Sequence, residues 1–145
     1  MNEIEFFFED YSPVNFFKDT LVNRVKFLIN KEIKELGTIS VIFCSDKYLL
    51  EINKQYLDHH YYTDIITFDY VEENVISGDL FISLDRINEN ANEYLTTFIR
   101  ELYRVVFHGV LHLIGYNDKT DKEQEEMTEK ENYYLGEVDF RGMEL

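Results

Sequence analysis

A chain of 145 residues with 45% hydrophobic and 16% aromatic content is long enough to bury one core and too short for two, so residues 1–145 are expected to form a single domain. One cysteine excludes an internal disulfide, no apolar run reaches the roughly 18 residues of a membrane span, and the acidic N-terminus lacks the basic region of a signal peptide, so a cytoplasmic protein without membrane contact is expected. The net charge of −15 excludes a broadly basic surface of the kind that holds nucleic acid through its phosphates, and any RNA affinity should be weak without a partner.

In chain order, Asn2 to Phe8 reads as a strand with Ile4, Phe6 and Phe8 on one face, and Pro13 then breaks the chain. The segment from Phe16 to Leu36 sets Phe17, Leu21, Val25, Leu28 and Leu36 at helical spacing, with Gly37 as the expected stop. Thr38 to Cys44 is apolar and β-branched, a buried strand in which Cys44 is a small core residue. Ser45 caps a short helix to Tyr56 with Leu49 and Ile52 facing inward. The polar, aromatic loop from Asp58 to Tyr62 follows. His59 and His60 read there as solvated residues rather than ligands, and Tyr61 and Tyr62 can either pack the turn or stack on unpaired bases.

Asp64 to Val71 and Asp79 to Leu84 read as two strands in the middle of the sheet, joined by an acidic loop from Glu72 to Gly78. Asp85 is the expected cap of a helix to about Leu95. After a break at Thr96 and Thr97, a longer helix runs from near Phe98 to Ile114 and buries Leu102, Val106 and Leu111. Asp121 opens a charged final helix to Leu135. The whole reads as α+β: a four-stranded mixed sheet on about five helices, with a metal site at the end of the central helix.

That site is the stretch from His108 to Asp118. His108 and His112 are four apart within the apolar run Leu102 to Ile114, which puts both on one helical face about 6 Å apart at Cβ. One cation can bridge them. Gly115 stands where the apolar pattern stops, so the chain can double back over three residues and bring the carboxylate of Asp118 to the two imidazoles. Three such ligands and an open fourth position have the composition of a catalytic zinc site, with one Zn²⁺ per chain. The histidine pair alone could equally be two core residues bonded to backbone carbonyls; the placed glycine and acid argue against that reading. The spacing is also that of zinc proteases, but Gly109 stands where their general-base glutamate would be, which disfavours peptide hydrolysis by that route. Arg104, one turn before His108, is either a phosphate contact beside the metal or the ion-pair partner of Glu101.

The run His108-Gly109-Val110-Leu111-His112-Leu113-Ile114-Gly115-Tyr116 resembles the YbeY family of single-strand-specific, metal-dependent endoribonucleases, whose pattern is His-Gly-x-Leu-His-Leu-x-Gly-Tyr-Asp-His. Asn117 and Asp118 depart from the family's aspartate and histidine, so the third ligand becomes a carboxylate. Two further blocks fit in the same order. Tyr62-Thr63-Asp64-Ile65-Ile66-Thr67-Phe68 is similar to Pro-Thr-Asp-Val-Leu-Ser-Phe, and Gly78-Asp79-Leu80-Phe81-Ile82-Ser83 to Gly-Asp-Ile-x-Ile-Ser. The arginine that the family usually carries after its Asn-x-x-Phe/Tyr segment is Leu57 here. The resemblance implies a zinc-dependent endoribonuclease acting in rRNA maturation, at the 3′ end of the small-subunit rRNA, and in ribosome quality control. Its implied partners are single-stranded RNA and the ribosome or its proteins. Asp64, Asp69 and Asp79, at strand ends, are candidate general bases, each of which could equally be a cap or turn residue. Two other classes stay open: a metal-stabilised ribosome assembly factor without catalysis of its own, and a zinc hydrolase of another substrate class.

Overall fold

The structure, a computed structural model, describes residues 2–143. Its elements are β1 (Glu3–Phe8), α1 (Lys18–Lys31), β2 (Glu35–Cys44), α2 (Asp46–Leu57), β3 (Ile65–Asp69), β4 (Val75–Ser83), α3 (Leu84–Glu93), α4 (Phe98–Ile114) and α5 (Asp121–Gly136). The sheet order is β1-β2-β4-β3, with β1, β2 and β4 parallel and β3 antiparallel to β4. Alternation along the strands buries Ile39, Val41 and Phe43 of β2 and Ile76, Leu80 and Ile82 of β4 in one core. The expected α+β architecture and four-stranded mixed sheet are therefore present. Among the described residues no helix is long and apolar enough to cross a membrane.

α4 is the central helix, buried along Ile99, Leu102, Tyr103, Val106, Phe107, Val110 and Leu111. Two glycines set how closely it approaches the sheet. A Cβ on Gly109 would lie 2.7 Å from Ile65 Cδ1 and 3.0 Å from both Leu80 methyls. On the strand side, a Cβ on Gly78 would meet the Phe68 carbonyl at 2.6 Å and Leu113 Cδ2 at 2.8 Å. The α4 backbone thus lies directly on strand side chains, and the β4 backbone on a helix side chain, where any larger residue would hold the two elements apart. The position occupied in zinc proteases by glutamate is needed here for packing. At the other end of α4, the Tyr103 hydroxyl donates to the carbonyls of Phe16 and Phe17 at 3.0 Å, and burial pushes its pKa up to about 12.

Several boundaries differ from the sequence reading, each for a local reason. The first helix ends at Lys31 rather than Leu36: Ile33 turns left-handed at φ 60, and the chain enters β2 at Glu35. Gly37 is therefore no helix stop. It lies inside β2, where a Cβ would fall 2.1 Å from Ser77 Oγ. The acidic loop is shorter than expected because β4 starts at Val75, and β3 is an edge strand rather than a middle one. Ser83, not Asp85, caps α3 by accepting from the Arg86 N–H, which leaves the Asp85 carboxylate to accept from the Asp46 N–H at 2.9 Å. α5 opens at Asp121 as expected, with Thr120 before it as the cap in a reciprocal capping box with Glu123. Cys44 is a core residue as expected; burial pushes its thiol up to about 12, so the nucleophilic thiolate is suppressed.

Candidate metal centre

Gly115 closes α4 at φ 126, a backbone conformation that L side chains resist; its N–H donates to the carbonyls of Leu111 and His112, and the Tyr116 N–H follows to Leu111. The reversal brings Asp118 back over the last turn of the helix. His108 Nε2 and His112 Nε2 are 3.0 Å apart, and Asp118 Oδ2 lies 3.3 Å from the first and 3.2 Å from the second. Bonds of about 2.0–2.1 Å to a common tetrahedral centre require ligand atoms about 3.3 Å apart. The cluster has that spacing.

Proton positions sharpen the case. His112 Nδ1 lies 2.9 Å from the Tyr116 carbonyl oxygen, which can only accept, so Nδ1 carries the proton and Nε2 presents a lone pair. His108 Nδ1 donates to Glu131 Oε2 at 2.6 Å, which likewise frees Nε2. Two lone pairs and a carboxylate oxygen thus converge on one point. A single proton can join two of these atoms; a divalent cation satisfies all three. The three residues could hold one metal ion, and the ligand atoms are partly exposed rather than sealed off.

Behind the imidazoles lies a second layer that the sequence did not disclose. Glu131 on α5 is buried, and its other oxygen accepts from Arg104 Nη1 at 3.1 Å. Arg104 also binds Glu101 through two bonds, Nε to Oε1 at 2.8 Å and Nη2 to Oε2 at 2.6 Å. Its guanidinium comes within 3.8 Å of Asp64, and Asn90 bridges Asp64 and Glu101. Burial works against the charged guanidinium, but the Glu101 and Glu131 carboxylates outweigh it and raise its pKa. Arg104 is thereby committed to three acids, of which Glu131 orients His108. On the other side, the Tyr116 hydroxyl donates to Glu32 Oε1 at 2.6 Å, while Glu32 Oε2 accepts from Lys130 at 3.1 Å and from the Tyr134 hydroxyl. That cluster pins the loop whose carbonyl holds His112. Glu131 and Glu32 lie 23 and 80 residues from the histidines they serve, directly or through Tyr116; only the fold brings them in.

The three candidate ligands open onto a cleft of about 490 Å³, lined also by Asn53, Leu57, His59, Tyr61 and the β3 residues Ile65 and Ile66. Of the candidate acids, Asp64 and Asp69 line this cleft; Asp79 does not, and its carboxylate accepts from the Tyr70 hydroxyl at 3.2 Å. Arg104 faces a separate depression beside α5. Leu57, at the position of the family's arginine, lines the cleft, and among the described residues no lysine or arginine does. His59 and His60 take no part in the metal cluster.

Comparison with known proteins places this geometry. The sequence model of the family described as "Endoribonuclease YbeY" matches residues 9–139. A protein of that name from Parabacteroides distasonis is 50% identical over 132 residues, covering 91% of this chain and 93% of the relative. Another, from Bacteroides thetaiotaomicron, is 58% identical over 102 residues, 70% of this chain and 74% of the relative. A solution structure from Thermotoga maritima, 32% identical, superposes with a TM-score of 0.69 over 93% of this chain and 88% of that one. With the family's sequence model spanning nearly the whole chain, and its histidine run ending in a converged His–His–Asp cluster that could hold a metal ion, the chain belongs to the YbeY endoribonuclease family.

Proposed function

We propose that the chain is a metal-dependent endoribonuclease that cuts single-stranded RNA in the cleft beside α4, with Zn²⁺ held by His108, His112 and Asp118. Its work, on this reading, is rRNA maturation at the 3′ end of the small-subunit rRNA and ribosome quality control in the cytoplasm, with the ribosome or its proteins as partner. The observation that carries it is the convergence of two imidazole lone pairs and one carboxylate oxygen, 3.0 to 3.3 Å apart, at the wall of an open cleft. A divalent ion bound there supplies Lewis-acid polarisation of a phosphate oxygen or of the attacking water. Glu131 and the Tyr116 carbonyl hold the two rings so that both Nε2 atoms face the cleft. Asp118 brings a negative charge where the family has a third imidazole, which shifts the site's preference toward harder cations. Asp64, in the cleft and anchored by Asn90, is the residue placed to accept the proton of the attacking group.

Incubating the purified chain with an unstructured RNA and with casein, with chelator and with metal restored, tests this. RNA should be cut only when metal is present, casein should stay intact, and His112→Ala should abolish cutting. Casein digestion, or RNA left whole at every metal tested, contradicts the reading. The absence, among the described residues, of any lysine or arginine from the cleft lining favours one alternative, a metal-stabilised assembly factor. On that alternative His112→Ala alters stability or ribosome association while the wild type never cuts RNA.

A further inference from the structure

A cleft whose lining, among the described residues, holds no lysine or arginine, in a chain of net charge −15, has little with which to grip a phosphate backbone besides a metal held by the three candidate ligands. The same cleft carries an aromatic pair. His59 and Tyr61 stack at 5.1 Å between ring centroids with an interplanar angle of 20°, and the Tyr61 hydroxyl lies 3.0 Å from His59 Nδ1. Although one partner already covers it, Tyr61 remains 56% exposed.

The loop bearing the pair is built rather than loose. Asp58 ends α2 in the left-handed conformation at φ 53, and the His59 N–H donates to the Asn53 carbonyl at 3.1 Å. Asn53, only 2% exposed, donates its side-chain amide to the Tyr61 carbonyl at 2.9 Å. The Tyr61 backbone is therefore fixed from within α2, independently of its ring. Neighbouring Tyr62 is used differently: it lies under the Arg86 guanidinium at 5.5 Å and is not part of the cleft lining.

We infer that Tyr61, backed by His59, is a stacking platform for one unpaired nucleobase of the RNA strand whose backbone passes the His108–His112–Asp118 centre. This deepens the endoribonuclease reading and rests on it. A nucleobase is flat and uncharged, so it can enter an acidic protein's cleft without the charge penalty that a phosphate meets, and its π face matches an exposed phenol ring. Selection for single strands follows from the same contact. In a duplex every base is already stacked between neighbours and none is free to lie on Tyr61. Every base offers a π face, so the platform is tolerant of sequence.

The test pairs protein variants with altered RNA. Wild type, Tyr61→Ala and Tyr61→Phe are assayed, metal-loaded, for binding and cleavage of a fluorescent unstructured oligoribonucleotide, its duplex, and a set of oligoribonucleotides with a single abasic residue moved along the strand. Tyr61→Ala should raise KM about tenfold or more with a much smaller change in kcat and unchanged metal content, and should narrow the preference for single strand over duplex. Tyr61→Phe, which keeps the ring, should restore the affinity. The abasic set should show one position that weakens binding to wild type, and that loss should vanish in Tyr61→Ala. Equal binding by Tyr61→Ala and wild type overturns the inference, as does an abasic scan of the wild type with no sensitive position, which needs no variant to fold. In both cases a wild type that still cuts RNA leaves the endoribonuclease reading standing. A wild type that neither binds nor cuts RNA overturns both, and tight binding of a proline-rich or aromatic peptide instead would assign the platform to a protein partner.

Discussion

The imidazole of His108 has one nitrogen to offer a cation because Glu131 takes the other, and Arg104 lies against the second oxygen of Glu131. Removing that charge without removing bulk isolates the effect. Glu131→Gln should weaken metal affinity about 10- to 100-fold, measured by competition with a chromophoric chelator, with the helical signal intact. An unchanged affinity would mean that the ring is held by packing alone. Glu32 does the corresponding service for His112 through Tyr116 and titrates in a useful range. Burial pushes its carboxyl up, yet the hydroxyls of Tyr116 and Tyr134 and the Lys130 ammonium outweigh burial and leave it below its ordinary value of 4.5. A carboxyl lowered in the folded state adds stability above that ordinary value and loses it as pH falls through the lowered one. Glu32→Gln should therefore cost about 1–2 kcal/mol near neutrality, with the denaturation midpoints of variant and wild type converging as pH falls below the ordinary value of 4.5 and through the lowered one. A gap constant with pH would assign the cost to geometry rather than charge.

At the scale of elements, α4 decides where the site lies, and its register against the sheet depends on Gly109. Gly109→Ala places a Cβ 2.7 Å from Ile65 Cδ1, forcing helix and sheet apart, and should destabilise by about 1–3 kcal/mol in urea unfolding. An unshifted midpoint would show that Ile65 and Leu80 yield freely. This helix was also the most legible part of the sequence, because everything that defines it is local: four-residue histidine spacing, a continuous apolar stripe, and Gly115 followed three residues later by an acid. Elsewhere two periodicities overlapped. Leu36 fits both the tail of α1 and the alternation of β2, and Gly37 reads as a helix stop until Ser77 on the neighbouring strand shows why no side chain fits there. The cluster of His108, His112 and Asp118 was readable for the same reason that Glu131, Glu32 and Asn53 were not. Cluster and turn lie within eleven consecutive residues, whereas Glu131 and Glu32 reach them from α5 and the end of α1, and Asn53 holds the Tyr61 loop from α2.

At the scale of the whole molecule, the charge of −15 and the cation-free lining of the cleft have one joint consequence. Few condensed counterions should be released on binding, so a plot of log affinity for single-stranded RNA against log salt should be shallow, with a slope of magnitude below about 2. A steep slope would reveal a basic surface that the lining residues do not provide. The central claim is that one divalent cation is shared by His108, His112 and Asp118. Elemental analysis of the purified wild type beside His108→Ala and Asp118→Ala tests it most directly: one divalent ion per wild-type chain, zinc foremost, lost from His108→Ala and sharply reduced in Asp118→Ala, is the expected result. A metal-free wild type, or the same metal content in all three proteins, would contradict it.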